Sequence, residues 1–309
     1  MNMDILVSIC IVTYNQEKFI SKAIESILHQ ETNYNYEIII GEDVSTDRTR
    51  EICIEYKRKF PDRIRLILHE KNLGLVQNFL SVVKASEGDF IALCDGDDYW
   101  TASQKLQTQT TFLINNPEVA LVHTNKAMID EDSAIYYGNN DHTGENSTLE
   151  KLLINNFICV STVMLRKKHL MNFFSSYEHL IIDNKWKMQD YPLWLYLALK
   201  YKIAYLSEEM SMYRVLSNSL CRQKDRNKSY LFDRSILDIR LYFYSLAAKQ
   251  LKYSNDFKYR FWEMVFHYRK RMIIKYKLMA SKEFFELISS NPVSTIQFLY
   301  RSLKRNLLK

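Results

Sequence analysis

Glycine and proline are scarce in this chain of 309 residues, at 6 and 4. That scarcity excludes collagen-like, linker-like and low-complexity architectures, which need one or both in quantity. Cysteine is sparse too. Cys10, Cys53, Cys94, Cys159 and Cys221 include no close pair and no CxxC. Such a set supports neither a disulfide framework nor a thiolate zinc site, and it favours a reducing compartment. Long apolar runs are missing as well. The longest uncharged stretches, 152–165 and 287–300, contain polar residues and fall short of the ~20 apolar residues that a membrane-spanning helix needs. No positive charge precedes the first apolar stretch, so a signal peptide is not expected and the active region is expected to face the cytoplasm. The seven histidines show no HExxH and no close metal spacing.

What is present describes an ordinary folded chain, 47% apolar and 25% charged. The length allows one large domain with an appendage, or two modest domains. The net charge of +6 hides an asymmetry. Residues 226–309 hold 18 Lys/Arg and 6 Asp/Glu, a net of +12, and residues 1–225 hold 24 and 30, a net of −6. A domain boundary is therefore expected near residue 225. The basic extension has no zinc-finger spacing and no Gly-rich RNA-binding pattern, so nucleic acid is not expected as a partner. Its cations alternate with Phe, Tyr, Trp, Ile and Leu, a composition that suits an anionic lipid surface. Residues 264–309, with Arg269-Lys270-Arg271, Lys275, Lys277, Lys304 and Arg305, are the expected contact. The alternative is a helical pair packed on the catalytic domain or on a second subunit of a homo-oligomer.

Along the first half, β-rich apolar runs alternate with helical periodicity. Strands are predicted at 5–13, 36–40, 64–68 and 90–94, and helices at 17–30, about 46–59, 75–86 and 101–115. Strand–helix alternation with short loops predicts an α/β class with a doubly wound, mostly parallel mixed sheet. Ligands bind such sheets at the carboxyl ends of strands. Three polar clusters fall on that rim: Thr13-Tyr14-Asn15, Glu42-Asp43 and Asp95-Gly96-Asp97-Asp98. Further on, strands are predicted at 119–124, 158–166 and 203–206, a polar loop or hairpin at 130–147, and an acceptor-side loop at 176–189. Pro192 suits the first turn of a helix running to about Leu199. Beyond 225 the pattern is helical, in three segments broken near Ser254 and Pro292.

Asp95 and Asp97 are one residue apart just after an apolar strand. If the chain turns there, both carboxylates converge on one cation, and Gly96 permits the turn. Three carboxylates in so small a volume repel unless a cation or proton intervenes. Hard oxygen ligands suit Mg²⁺ or Mn²⁺, which can also carry a diphosphate. A solvated acidic turn is the plain alternative. Asp43 stands at the end of the second strand, where a carboxylate can accept from a base N–H or a ribose hydroxyl.

Four stretches then carry a resemblance: VSICIVTYNQEKFISKAIESILHQ at 7–30, YEIIIGEDVSTDRT at 36–49, NLGLVQNF at 72–79 and ALCDGDDYWTASQKLQTQ at 92–109. In this order they resemble family 2 glycosyltransferases, inverting enzymes with the nucleotide-sugar-binding GT-A fold, and most of all bacterial enzymes of capsule, O-antigen and exopolysaccharide synthesis. The resemblance implies a catalytic domain over 1–225, with a nucleotide-sugar half at 1–115 and an acceptor half at 116–225, followed by the helical basic extension 226–309. It implies that Thr13, Tyr14 and Asn15 line the base and ribose, that Asp43 binds the base, typically uracil, and that Asn72 makes a nucleotide-side contact. It implies Asp97 as principal ligand of Mn²⁺ or Mg²⁺, with Asp95 on the ribose or the metal. MQDYPLW at 188–194 matches the stretch that holds the general base, which gives Asp190 that role, although Gln189 replaces the usual acidic neighbour. Asp183 and Glu178 are the alternatives. Tyr213-Arg214 resembles a late aromatic–Arg pair whose Arg approaches the diphosphate.

The function expected is transfer of a sugar from a nucleotide-sugar donor, typically UDP-linked, to a hydroxyl of a growing surface polysaccharide or lipid-linked oligosaccharide. Two other readings stand beside it. Metal-dependent nucleotidyl transfer wants a Gly-rich basic loop after the first strand, and 12–20 has neither glycine nor arginine. A non-catalytic nucleotide-sugar binder would share the donor site but need no base.

Overall fold

The computed structural model describes residues 6–135, 148–183, 185–217, 219, 225–276 and 289. The chain divides into two compact units, Met1–Ser219 and Leu220–Lys309.

In the first unit, β1 (Leu6–Thr13) is buried at seven of its eight positions. A strand apolar on both faces belongs in the middle of a sheet covered on both sides. Helix α1 (Ile20–Leu28) buries Ile20, Ala23, Ile24 and Ile27, the spacing of one helical face. The alternation continues through β2 (Asn35–Glu42), α2 (Thr49–Lys59), β3 (Ile64–Leu68), α3 (Leu75–Ala85) and β4 (Phe90–Asp95). Next come β5 (Tyr99–Trp100), α4 (Lys105–Asn115), β6 (Val119–Ile129), α5 (Leu149–Ile154), β7 (Val163–Arg166), α6 (Lys167–Ile182), α7 (Tyr191–Lys200) and β8 (Lys202–Arg214).

The eight strands form one sheet in the order β3-β2-β1-β4-β7-β6-β8-β5. β1 pairs in parallel with both β2 and β4, and β2 with β3. β7 runs antiparallel to β4 and β6, and β6 pairs in parallel with β8. The sheet is thus mixed, as the GT-A expectation requires. Its core holds Ile9, Ile11, Ile24, Ile38, Ile40 and Ala92, all fully buried. Each such aliphatic side chain contributes about 1.5–3 kcal/mol, so the switch between β1 and β4 sits on the firmest part of the unit.

Three expectations need correction. β8 covers Lys202–Arg214, not only 203–206, and β6 reaches Ile129. Their pairing shifts register near Thr124–Lys126, and those irregularities break the alternation that a strand reading depends on. Residues 176–182, expected in a loop, lie in α6. Of the polar segment 130–147, residues 136–147 fall outside the described residues.

In the second unit, Asp225 caps α8 (Arg226–Ala248) by accepting from Lys228 N at 2.9 Å. α9 (Asn255–Tyr276) returns antiparallel to it. Asp233 near the start of α8 accepts from Lys275 Nζ at 3.0 Å and Tyr276 Oη at 2.7 Å, at the end of α9. The Tyr244 and Phe261 rings stack 4.1 Å apart. The segment expected beyond Pro292 lies outside the described residues.

Candidate active site

The strand order reverses at β1, because β2 lies on one side of it and β4 on the other. In an open α/β sheet the crevice at such a switch point, at the carboxyl ends of the strands, receives the ligand. Register brings the three polar clusters together there. Val12 pairs with Asp95 and Thr13 with Glu42.

Hydrogen bonds stitch the loops after β1 and β2. Asn15 adopts φ 54°, in the left-handed region, and its Oδ1 accepts from Thr46 N at 2.8 Å. Gln16 N donates to Thr49 Oγ1 at 2.7 Å, and Glu17 N to Asp47 Oδ2 at 3.1 Å. Val44 also adopts a positive φ, 60°, a costly conformation for a β-branched residue. It is held by its neighbours. The buried Glu42 carboxylate accepts from Ser45 N at 2.6 Å and from Arg50 Nε. Burial pushes that carboxyl up, but these hydrogen bonds outweigh burial and hold it below the usual range. Asp43 is buried, its Oδ1 accepting from Leu73 N at 2.7 Å and its Oδ2 from Gly74 N at 2.8 Å. Asn72 Nδ2 donates to Asp43 O at 2.8 Å. Asp43 and Asn72 thereby fix the loop that opens α3. Tyr14 is 46% exposed, so its ring is available to a planar ligand.

The loop after β4 approaches β1 closely. Gly96 N donates to Val12 O at 3.1 Å. A Cβ at residue 96 would lie 2.4 Å from Gln16 Oε1 and 2.9 Å from Thr13 Oγ1, so glycine is needed for proximity. Asp98 is buried, and its Oδ1 accepts from Arg214 N at 2.8 Å. Its Oδ2 is buried with no hydrogen-bond partner. The Arg214 guanidinium donates from Nε to Asp97 O at 3.1 Å and from Nη1 to Asp130 O at 3.0 Å and Ser133 Oγ at 3.1 Å. It also lies over the Phe19 ring at 4.4 Å. Arg214 braces the carboxylate loop.

Electrostatics link this loop to Asp190. Burial, then the charges of Asp97 and Asp190, push the Asp95 carboxyl well above the usual range. Burial, then Asp97 and Asp95, do the same to Asp98. Burial raises Asp97 to about 6, against hydrogen bonding and the charge of Arg214, which lower it. Burial also raises Asp190 to about 6, against hydrogen bonds from Tyr191 N and the Asn156 side chain. Asp190 precedes α7, but its side chain makes no capping hydrogen bond to that helix. Tyr191 Oη donates to Leu152 O at 2.7 Å, tying the start of α7 to α5 and so to the loop that bears Asn156. The alternative bases are engaged elsewhere: Glu178 accepts from Lys84 Nζ at 2.6 Å, and the exposed Asp183 lies 3.8 Å from Lys185.

Among the described residues, no group of three or more His, Cys, Asp or Glu side chains is arranged to hold a metal ion. Crowded, upshifted carboxyls and an orphaned buried Asp98 oxygen are nonetheless the environment a cation relieves. Asp95 and Asp97 therefore fit an ion whose remaining positions are filled by ligand oxygens and water. Sequence reading missed Gln16 and Asn156. Gln16 stood beside the singled-out Thr13-Tyr14-Asn15, whereas Asn156 in a bare NNF stretch carried no signal. Buried His123 lies 5.1 Å from the Tyr205 ring and is pushed down to about 3 by burial, so it is a neutral core residue.

Known proteins resemble this chain in sequence and fold. The uncharacterized protein Rv1520 of Mycobacterium tuberculosis is 34% identical over 217 residues, 67% of this chain and 58% of that protein, so the match spans little more than half its length. The UDP-Glc:alpha-D-GlcNAc-diphosphoundecaprenol beta-1,3-glucosyltransferase WfgD of Escherichia coli is 30% identical over 223 residues, 72% of this chain and 81% of the other. The crystal structure of S. aureus TarS 1-349 in complex with UDP-GlcNAc superposes with a TM-score of 0.58 at 17% identity, over 88% of this chain and 84% of that one, which establishes likeness of fold. The family described as glycosyl transferase family 2 matches residues 8–179, a span holding β1 to β4, the carboxylate loop and its surroundings. With both the motifs and the rim accounted for, this chain belongs to glycosyl transferase family 2.

Proposed function

We propose that the protein is an inverting glycosyltransferase that moves a sugar from a nucleoside-diphosphate donor, UDP-linked, to a hydroxyl of a growing surface polysaccharide or lipid-linked oligosaccharide. The observation that carries the reading is the convergence of the rim clusters at the switch point, where Val12 pairs with Asp95 and Thr13 with Glu42, and there the charge of Asp190 helps to raise the Asp95 carboxyl. A donor-side cluster and a separate carboxylate facing it are the two parts that single displacement needs.

In this reading Thr13, Tyr14 and Asn15 border the nucleoside, and Asp43 accepts from the base with the lone pairs its backbone donors leave. Asp95 and Asp97 hold Mn²⁺ or Mg²⁺. A divalent cation there supplies positive charge against the charge that builds on the departing diphosphate. Asp190 takes the proton of the acceptor hydroxyl as that oxygen bonds to the anomeric carbon. The bond from that carbon to the diphosphate oxygen breaks on the opposite face, and the configuration inverts. The half at 116–225 is assigned the acceptor side. UDP rather than another nucleotide is favoured by the UDP-Glc donor of WfgD and the UDP-GlcNAc bound to TarS. A lipid-linked acceptor is assigned to the inner surface of the bilayer, which the basic extension suits; no helix among the described residues is long and apolar enough to cross a membrane.

Asp190→Asn tests the proposal. UDP affinity measured by calorimetry with Mn²⁺ stays within about twofold, while sugar transfer falls by about 10²-fold or more. Transfer at the wild-type rate would remove Asp190 from the role of base.

A further inference from the structure

Helix α9 buries one side within the second unit through Phe257, Phe261, Val265, Tyr268, Met272 and Ile273. The opposite side carries Tyr259, Trp262, Phe266, Lys270 and Ile274, at steps of three and four that make one stripe. Tyr259 is 68% exposed, Trp262 45% and Ile274 60%, so large apolar groups face outward near both ends of the helix, with Phe266 and Lys270 half-buried between them. The acids of α9, Asp256 and Glu263, lie in its first half. From residue 264 to 276 the helix has four cations and no acid. Lys275 is offset by Asp233 at 3.0 Å. Arg271 lies over the Tyr268 ring at 4.7 Å. A shallow groove of about 450 Å³ runs between His267, Lys270, Arg271, Ile274 and Lys275.

A stripe of Trp, Tyr and Ile beside cations matches the two layers of a bilayer surface, an acyl boundary beneath anionic headgroups. A second copy of the same face fits less well, because 264–276 carries four cations and no acid while 255–263 sets Asp256 and Glu263 beside Lys258 and Arg260 and so offers no net negative charge to meet them. We propose that the outward face of α9 seats on an anionic phospholipid surface, with Tyr259, Trp262 and Ile274 entering the headgroup boundary and Lys270 and Arg271 meeting lipid phosphates. This deepens the inner-surface part of the reading above and is independent of the chemistry at Asp190. It also places the contact on a helix that begins before residue 264 of the expected segment, most of whose remainder lies outside the described residues.

The test is cosedimentation of the full chain with vesicles and no donor present. The protein binds phosphatidylcholine vesicles containing about 30 mol% phosphatidylglycerol at ~0.1 M salt, releases at ~0.5 M, and leaves pure phosphatidylcholine largely unbound. Lys270→Gln with Arg271→Gln weakens binding about 30-fold, from about 1 kcal/mol per cation. Trp262→Ser with Ile274→Ser weakens it at least about tenfold. Both pairs are surface changes, and helical circular dichroism and UDP affinity stay as in wild type. Wild-type binding by both variants overturns the proposal, as does equal binding to neutral vesicles. So does a dimer in sedimentation velocity that the Trp262/Ile274 pair dissolves while anionic vesicles go unbound. Loss of transfer in Asp190→Asn with intact vesicle binding separates the two readings.

Discussion

Lys105 begins α4 with its side chain fully buried, 4.5 Å from the centre of the Trp100 ring and donating to Gln109 Oε1. Burial pushes its ammonium from 10.5 down to about 7, against a smaller opposing effect of the Cys94 and Cys159 thiols. That drop corresponds to roughly 5 kcal/mol of penalty for the charged form, at about 1.4 kcal/mol per pH unit. Lys105→Met removes the penalty. It also leaves Gln109 Oε1 without its donor, at about 1–3 kcal/mol, and loses a cation–ring contact of about 1 kcal/mol. The variant is therefore more stable than wild type by about 1–3 kcal/mol at pH 7. Below about pH 7 the lysine is charged in both states and the penalty is complete. Between about 7 and 10.5 the folded protein holds it neutral while the unfolded chain keeps the proton. The unfolded state then binds more protons, so wild-type stability rises with pH across that window. The advantage of the variant shrinks accordingly, and near pH 10.5 it reverses to the cost of the unpaired Gln109. Urea titrations of both proteins at several pH values measure the difference. A pH-independent difference, or a variant less stable at pH 7, would refute the reasoning.

Gly96→Ala places a Cβ against Gln16 and Thr13, and a stability loss of about 1–3 kcal/mol is expected, with weaker UDP–Mn²⁺ binding by calorimetry; unchanged affinity would show the loop gives way without cost. Arg214→Lys cannot reproduce the hydrogen bonds to Asp97, Asp130 and Ser133, so denaturation shows a loss of about 2–4 kcal/mol, and an unshifted midpoint argues against a bracing role. Asn156→Leu changes the pH dependence more than the stability. Its Oδ1 is buried without a partner, but leucine also takes a donor from the buried Asp190 carboxyl, so the two effects offset to within about 1 kcal/mol. Asp190 meanwhile loses a hydrogen bond that lowers it from burial's pull, so its carboxyl rises and the acid limb of the transfer rate moves to higher pH. Parallel loss of stability and rate at every pH would mean that Asn156 is structural only.

The first half of the fold was legible because its signals are local. Apolar runs such as LVSICIVT and FIALCD, and the spacing of Ile20, Ala23, Ile24 and Ile27, identify elements without knowledge of their partners. The rim carboxylates were legible for the same reason, since strand ends fix where they stand. β5 was not, because Tyr99–Trp100 is a strand only through its pairing with Met212 and Ser211. The second half of β8 was hidden by its polar SEEMSMYR, half-exposed and out of register with β6. Within the site, the bracing of Asp98 by Arg214 and the neighbour relation of Asn156 and Asp190 depend on contacts between distant segments, which no spacing encodes.

The bond from Arg214 N to Asp98 spans 116 residues. During synthesis the early strands can assemble while the later chain is still unmade, but the carboxylate loop lacks its clasp until β8 has emerged from the ribosome. Closing so long a loop carries an entropy penalty that only late pairing offsets. A nascent chain stalled before residue 214 therefore has the early strands but lacks the bond that holds the Asp98 carboxylate, so the rim is completed only when the last strand of the sheet is paired.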